Sequence, residues 1–181
     1  MTNLEDTITI KDLEFIPYVT HNDILERIKE IGIKINQDYE NKNPLFIAVL
    51  NGSFMFASDL MKQVDLKSEL TFIKVNSYEG TESSGKIKEM IGIGQSVTDR
   101  HIVIIEDIVD TGHTINHLLS EISKRDPASI EVVTLFSKPD SHESDIYLKY
   151  IGFDIPNKFI VGYGLDYDGY GRNYQDVYQL I

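Results

Sequence analysis

Residues 101–114, HIVIIEDIVDTGHT, decide the fold of this chain. The run from His101 to Ile105 is apolar and β-branched after its first residue, which predicts a strand. Beyond the stretch, apolar residues recur at helical spacing and predict a helix; they are Ile115, Leu118, Leu119 and Ile122. A strand and a helix joined by a polar turn form the repeating unit of an α/β sheet. Because this turn carries three carboxylates, it is also the first candidate for a functional site.

The rest of the chain repeats this alternation. Apolar residues at helical spacing predict helices over residues 20–39 and 53–64. A continuous apolar run predicts a buried strand over residues 45–50. Further strands are predicted over residues 70–75 and 129–136, and a shorter strand is expected around Phe159-Ile160-Val161. The pattern predicts an α/β fold with a mainly parallel, twisted sheet flanked by helices.

Composition favours a single domain over residues 1–181. The chain has 181 residues, of which 41% are hydrophobic, enough for one core and short for two. No apolar run approaches the roughly 18 residues of a membrane span, and the acidic start lacks the layout of a signal peptide. We therefore expect a cytoplasmic protein without a membrane partner.

Charge and cysteine content narrow the possible ligands. The absence of cysteine excludes disulfides, thiolate nucleophiles and cysteine-bound metals, so a metal must be held by oxygen or imidazole. A net charge of -12 argues against a nucleic-acid partner, because binding phosphate backbones requires clustered Lys and Arg. A small anionic ligand that is bound locally remains compatible with this charge.

Three polar turns are expected at one edge of the predicted sheet, since ligands in α/β sheets bind at the carboxyl ends of strands. They are Asn51-Gly52, residues 106–114 and Ser137-Lys138-Pro139. In the second turn, residues Thr111 to Thr114 can present backbone N–H groups and two hydroxyls to a phosphate at a helix N-terminus. Glu106 and Asp107 suit a ribose diol or a magnesium ion. The alternative is that these acidic residues only cap the helix.

The run VIIEDIVDTGHT, residues 103–114, closely resembles the phosphoribosyl pyrophosphate signature of type I phosphoribosyltransferases. Within that family it is similar to the hypoxanthine-guanine enzymes. The resemblance extends from about residue 45 to residue 172 and includes four further motifs in the family's order: VLNGSF, SYEGTESSG, LFSKP and NKFIVGYGLDYDGYGR. It does not cover the first forty residues, in which no chemistry is recognisable.

The resemblance implies a purine salvage enzyme. Such an enzyme transfers the 5-phosphoribosyl group from phosphoribosyl pyrophosphate to hypoxanthine or guanine with the help of Mg²⁺, and forms a homodimer or homotetramer. It also implies the family's fold, with a small hood built by terminal segments, here about residues 153–181, and a flexible lid loop at about 76–88. Ser77 and Tyr78 match the residues of that lid.

The resemblance assigns a role to each matching residue of the central stretch. Glu106 and Asp107 bind the ribose hydroxyls and, with Asp166, lie near the metal. Asp110, Thr111, Gly112, His113 and Thr114 hold the 5′-phosphate, and Asp110 is the catalytic base at purine N7.

Purine and pyrophosphate binding are assigned in the same way. Lys138 donates to the purine 6-oxo group, Phe159 stacks on the base, Ile160 supplies backbone contacts, and the 2-amino group is bound by backbone carbonyls near Asp166. Asn51, Gly52 and Arg172 contact pyrophosphate. Local sequence alone leaves other interpretations open: a solvated charge for Lys138, Asp166 and Arg172, core packing for Phe159, and a disordered loop for Ser77 and Tyr78.

Two other functional classes remain open at this stage. One is a regulatory module that keeps the fold and binds nucleotide or RNA without turnover. The negative net charge and the presence of Asp110, Lys138 and Arg172 together argue against it. The other is a transferase of the same superfamily with xanthine-guanine or another base specificity. The side chains alone do not rank hypoxanthine against guanine.

Asn51 is a departure from the family pattern, because many relatives have lysine at this position. The family commonly has a cis peptide here, which aims backbone N–H groups at pyrophosphate. Since asparagine keeps the backbone contacts but not the cation, we expect Asn51→Lys to tighten pyrophosphate binding by up to about fivefold or to change the assembly state. Titration calorimetry with pyrophosphate and light scattering measure the two effects; the hypothesis fails if neither quantity changes.

Overall fold

The computed structural model describes residues 7–76, 88–91 and 93–181. Ser77 and Tyr78, and with them nearly all of the expected lid, lie outside the described residues.

The larger of two sheets has six strands in the order β5-β4-β3-β6-β7-β8. All neighbouring pairs are parallel except β4 and β5, which are antiparallel. The strands are β3 (Leu45–Leu50), β4 (Glu69–Asn76), β5 (Lys88–Ile91), β6 (His101–Val109), β7 (Ser129–Ser137) and β8 (Tyr150–Asp154). The helices are α1 (His21–Asp38), α2 (Phe54–Met61) and α3 (His113–Ser123). The expected α/β fold with a mainly parallel sheet and flanking helices is confirmed.

Strands β3, β6 and β7 are largely buried, because most of their side chains are apolar on both faces of the sheet. One core cluster packs α1 and α2 against the sheet through residues such as Ile28, Phe46 and Leu60. The other packs α3 against it through residues such as Ile104, Ile115 and Leu118. The helical spacing expected for residues 20–39 is confirmed, and Thr20 is the N-cap, because its side-chain oxygen accepts from the N–H of Asp23.

Strand β6 is longer than the sequence pattern predicts. The apolar run ends at Ile105, but pairing with β7 continues through Ile108 with Phe136 and Val109 with Ser137. Glu106 and Asp107 therefore lie within the strand rather than in the turn after it, which corrects the expected position. Main-chain pairing with β7 overrides the low strand propensity of the two acidic residues, whereas pairing with β3 ends at Ile105.

The smaller sheet is the hood, with four strands in the order β1-β2-β10-β9. Its strands are β1 (Ile8–Ile10), β2 (Leu13–Val19), β9 (Ile160–Val161) and β10 (Val177–Leu180), and all pairs are antiparallel. The hood is thus built from both terminal segments, as expected. Strand β8, which overlaps the start of the expected hood segment at about residues 153–181, belongs to the larger sheet instead. Its core is small and centres on Ile10, Phe15 and Val161.

None of the helices in the described parts of the chain is long and apolar enough to cross a membrane.

Candidate active site

The three polar turns that follow β3, β6 and β7 lie at one edge of the larger sheet. These strands are parallel neighbours, so their carboxyl ends point in the same direction. The turns carry Asn51 and Gly52, Asp110 to Thr114, and Lys138. The sheet therefore brings together the segments for which the sequence predicted phosphate, sugar and purine contacts.

Gly52 lies at the closest approach between the first turn and the acidic pair of β6. A β-carbon on Gly52 would overlap with the carboxylate of Asp107, so the absence of a side chain permits this contact. On the other side of the turn, the backbone of Gly164 packs against the carbonyl oxygen of Gly52. The preceding peptide, Leu50–Asn51, is cis, as the family resemblance led us to expect.

Arg172 holds the segment whose Gly164 packs against this turn. Its guanidinium donates to the carbonyl of Gly164 at 2.7 Å and forms an ion pair with Asp166 at 2.6 Å. The second carboxylate oxygen of Asp166 accepts from the N–H of Gly169 at 2.6 Å. Both oxygens of Asp166 are thus engaged within the hood, and the side chain of Arg172 lies close enough to Asp107 to favour its charged form.

The acidic pair is held in an environment that disfavours two negative charges. Glu106 is 6% exposed, Asp107 is half-buried, and Oε2 of Glu106 is a buried oxygen without a hydrogen-bond partner. Burial raises the pKa of Glu106 well above its ordinary range, and repulsion from the neighbouring carboxylate of Asp107 adds to this shift. Burial also raises the pKa of Asp107. A cation or a set of hydroxyl donors at this position would relieve both costs.

The turn before α3 forms a small cavity of about 100 Å³, lined by Glu106 and residues 108–115. Gly112 has a φ of 89° and stands directly before the first residue of α3, so the backbone changes direction there. Thr111 and His113 are exposed. N–H groups at a helix N-terminus carry partial positive charge, which suits this concave turn to a phosphate group.

A segment after β7 braces the phosphate turn from outside. The N–H of Glu143 donates to the carbonyl of Thr111 at 3.2 Å, and its carboxylate contacts Nε2 of His113 at 2.7 Å. Ile146 covers Gly112 so closely that a β-carbon there would overlap with its Cδ1. Sequence reasoning missed Glu143 and Ile146, because the segment 139–147 has neither a periodic pattern nor a motif of its own.

Lys138 and Asp110 form an ion pair between the ends of β7 and β6. Nζ of Lys138 lies 2.6 Å from Oδ2 of Asp110, and the N–H of Lys138 donates to the carbonyl of Val109 at 2.9 Å. The lysine side chain is 7% exposed, whereas that of Asp110 is 47% exposed. A buried ammonium and an accessible carboxylate thus stand side by side, one as a fixed donor and the other as an available proton acceptor.

Phe159 and Ile160 lie on the hood. Ile160 begins β9 and is buried, while Phe159 precedes it with 42% of its surface exposed. An aromatic ring exposed to this extent is available for stacking, whereas the core packing considered for Phe159 would have buried it.

Comparison with known proteins identifies the family. Residues 18–168 match the model of the phosphoribosyl transferase domain. The chain belongs to the phosphoribosyltransferase family. The resemblance inferred from the sequence motifs is thereby confirmed.

Relatives within the family are hypoxanthine-guanine enzymes. The hypoxanthine-guanine phosphoribosyltransferase of Streptococcus pyogenes is 42% identical over 164 residues, which cover 90% of this chain and 91% of the relative. That of Streptococcus agalactiae is also 42% identical, over 163 residues that cover 90% of each chain.

Solved structures of such enzymes have the same fold. A hypoxanthine-guanine phosphoribosyltransferase from Bacillus anthracis superposes with a TM-score of 0.87 at 33% identity, covering 96% of this chain and 100% of that chain. A hypoxanthine phosphoribosyltransferase from Staphylococcus aureus gives 0.87 at 37% identity, covering 98% and 93%.

The acidic pair has the chemistry that suits a magnesium ion. Mg²⁺ binds through one or two carboxylates together with phosphate oxygens and water, rather than in a complete protein cage. Among the described residues no group of three acidic or imidazole side chains is placed to hold a metal. Glu106 and Asp107, with one unpartnered buried oxygen, could supply the protein's share of such a coordination sphere.

Gly112→Ala should weaken binding of phosphoribosyl pyrophosphate. The substitution places a β-carbon against Ile146 and forces an L residue into a left-handed conformation, which costs about 1–2 kcal/mol by itself. We expect the KM for phosphoribosyl pyrophosphate to rise by at least about tenfold. Gly94→Ala is the matched control, because nothing lies within 4 Å of its β-carbon. An equal KM in both variants would contradict this role for Gly112.

Proposed function

We propose that this protein is a purine salvage enzyme that transfers the 5-phosphoribosyl group of phosphoribosyl pyrophosphate to hypoxanthine and guanine. The bond from ribose C1 to pyrophosphate breaks and a bond from C1 to purine N9 forms, giving inosine or guanosine monophosphate and pyrophosphate. The observation that carries the proposal is the Lys138–Asp110 ion pair at 2.6 Å, which lies beside the phosphate turn. The relatives named above support the same reaction.

In this proposal the sugar phosphate is held by the end of β6 and the start of α3. The N–H groups of residues 111–114 bind the 5′-phosphate, and the buried carboxylates of Glu106 and Asp107 accept from the ribose hydroxyls. The unpartnered oxygen of Glu106 supports this role, since a ribose hydroxyl would give it a hydrogen-bond donor. Brace residues Glu143 and Ile146 keep the turn in its binding conformation.

The departing pyrophosphate is assigned to the turn at Asn51 and Gly52 and to Arg172. Charge builds up on pyrophosphate as the bond to C1 stretches, so fixed donors aimed at it lower the barrier. When bound, Mg²⁺ neutralises part of that charge; Glu106 and Asp107 are the residues that would hold it. The third proposed acidic residue, Asp166, is engaged with Arg172 and Gly169, and its place near the metal stays a prediction.

Asp110 is the proposed base and Lys138 the proposed specificity residue. As N9 bonds to C1, the purine loses its N7 proton to the exposed carboxylate of Asp110. The ammonium of Lys138 is a donor and cannot accept, so it favours a 6-oxo purine over adenine, whose 6-amino group is itself a donor. The ion pair holds both groups at the spacing that a single base requires. Phe159 is proposed to stack on that base and Ile160 to contact it through its backbone.

Assembly, location and domain organisation are proposed on separate grounds. A homodimer or homotetramer is proposed from the family resemblance alone. The cytoplasmic location and the single domain over residues 1–181 stay predictions from the sequence.

Incubation with phosphoribosyl pyrophosphate and Mg²⁺ plus one base at a time tests the proposed reaction. We expect nucleotide formation with hypoxanthine and guanine and little with adenine, because Lys138 presents a donor. We expect little with uracil, because a pyrimidine has no N7 proton for Asp110 to accept. Chromatography of products and release of pyrophosphate measure turnover. Turnover with xanthine but not hypoxanthine would reassign the base. Tight binding of nucleotide or RNA without turnover with any base would replace the enzyme by a regulatory module.

Asp110→Asn separates catalysis from binding. Removal of a general base typically costs 10²–10⁴-fold, so we expect kcat to fall by at least about 100-fold. The KM for phosphoribosyl pyrophosphate should change by less than about threefold, because the phosphate is held by backbone groups. Asp145→Asn, which removes an exposed carboxylate from the neighbouring segment, serves as the control. If kcat and phosphoribosyl pyrophosphate affinity fall together, Asp110 holds the phosphate rather than the proton.

A further inference from the structure

The first strands of the chain form half of the hood core. Phe15 is fully buried in the middle of β2, and its neighbours in this core are Ile10 and Val161. Because only three residues of this cluster are fully buried, the position of each side chain depends strongly on the others. Residues 8–19 carry no recognisable chemistry in the sequence, yet they supply two of these three side chains.

Phe159 is held from one side by this core. Its ring centroid lies 6.2 Å from that of Phe15 with an angle of 43° between the planes. Tyr167 meets it edge-on, at 5.9 Å and 87°. Both distances are within the range in which aromatic rings attract each other with preferred geometry. Since Phe159 is 42% exposed, the remaining surface of its ring is available to a ligand.

Tyr167 is itself held by the turn between β1 and β2. The hydroxyl of Tyr167 donates to Oδ1 of Asp12 at 2.9 Å, a hydrogen bond that raises the pKa of Tyr167. Next to it, Lys11 forms an ion pair with Asp168, and its ammonium lies 5.4 Å from the ring centre of Tyr170. The segment 167–170 is therefore attached to residues 11 and 12 by three separate contacts.

Main-chain pairing fixes the same arrangement. Phe15 is opposite Leu180 in the β2–β10 pairing, and the N–H of Leu180 donates to the carbonyl of Phe159 at 2.9 Å. The backbones that carry the two phenylalanine rings are thus separated by one strand, and a change in β2 reaches Phe159 through both backbone and side chain.

We propose that Phe15 and Asp12 are positioning residues for the purine base. Phe15 supports the ring of Phe159 directly, and Asp12 supports it through the hydroxyl of Tyr167. Neither residue touches the ligand. Their effect is confined to the base, because the sugar and phosphate contacts come from β6 and α3. This inference rests on the proposed function, in which Phe159 stacks on the purine.

Binding of two ligands that differ only in the base tests the proposal. Inosine monophosphate carries purine, sugar and phosphate, whereas ribose 5-phosphate lacks the purine. Phe15→Leu should weaken binding of inosine monophosphate by about three- to tenfold, because Phe159 loses a ring partner. Binding of ribose 5-phosphate should change by less than twofold. Titration calorimetry measures both dissociation constants, and circular dichroism confirms that the variant is folded.

Phe46→Leu is the matched control. Phe46 is as fully buried as Phe15, but it lies near the start of β3, at the opposite edge of the sheet from the turns. It should lower stability without changing the ratio of the two dissociation constants. The proposal is overturned if Phe15→Leu weakens both ligands equally, or if Phe46→Leu changes the ratio as much as Phe15→Leu does.

Two less disruptive variants keep the proposal testable if Phe15→Leu does not fold. Tyr167→Phe and Asp12→Ala each remove the same hydrogen bond and keep an aromatic ring at position 167, which is then no longer anchored to the turn between β1 and β2. Each should weaken inosine monophosphate about two- to threefold, and the double variant should be no weaker than either, because the two residues act as one unit. Independent, additive effects, or no effect of either variant, would overturn the role of Asp12.

Failure of the proposed function would be visible in the unmodified protein. A protein without turnover and without binding of inosine monophosphate has no purine for Phe159 to stack on, and both proposals fall. Normal turnover combined with variants that bind both ligands like the unmodified protein would overturn the positioning role alone.

Discussion

The pairing of β6 with β7 is the constraint on which the site depends. Both strands continue in register to Val109 and Ser137, and the hydrogen bond from Lys138 to Val109 extends the ladder by one residue. The next side chains, Asp110 and Lys138, then meet at 2.6 Å. A shift of one residue in this register would turn each side chain to the other face of the sheet and separate them. The contact between Asp110 and Lys138, which we propose to act on the purine, is thus set by the backbone hydrogen bonds between β6 and β7.

Much of the core architecture could be predicted from the sequence, because strands buried on both faces appear in it as continuous apolar runs. The apolar run at Leu45–Leu50 and the helical spacing of Ile24 to Ile35 correspond closely to β3 and α1. The edge at which the polar turns gather follows from the parallel order alone. The end of β6 could not be predicted from the sequence. Glu106 and Asp107 are held in the strand by pairing with β7, and this tertiary effect is not reflected in the strand propensity of the two residues.

Local sequence patterns did not predict the strands of the hood or the residues that brace the phosphate turn. Strands β1 and β9 have three and two residues, too few for a periodic signal, and β2 contains Pro17, which ordinarily argues against a strand. The resemblance predicted a hood formed by terminal segments but gave a range only for the C-terminal one, about residues 153–181. The contribution of Phe15 and Asp12 depends on the pairing of β2 with β10, which local sequence does not reveal. Glu143 and Ile146 were equally invisible, because their partners Thr111 and Gly112 lie about thirty residues away.

The order of strands in the hood has a consequence for how the enzyme is made. Strand β2, at residues 13–19, lies between β1 and β10, and β10 spans residues 177–180. Because β10 emerges from the ribosome more than 150 residues after β2, the hood cannot close while the larger sheet is being synthesised. The turn before α3 and the acidic pair of β6 can therefore fold first, and the strand pairing that supports Phe159 is completed last. A nascent chain of this protein would acquire its proposed phosphate site before its proposed base site.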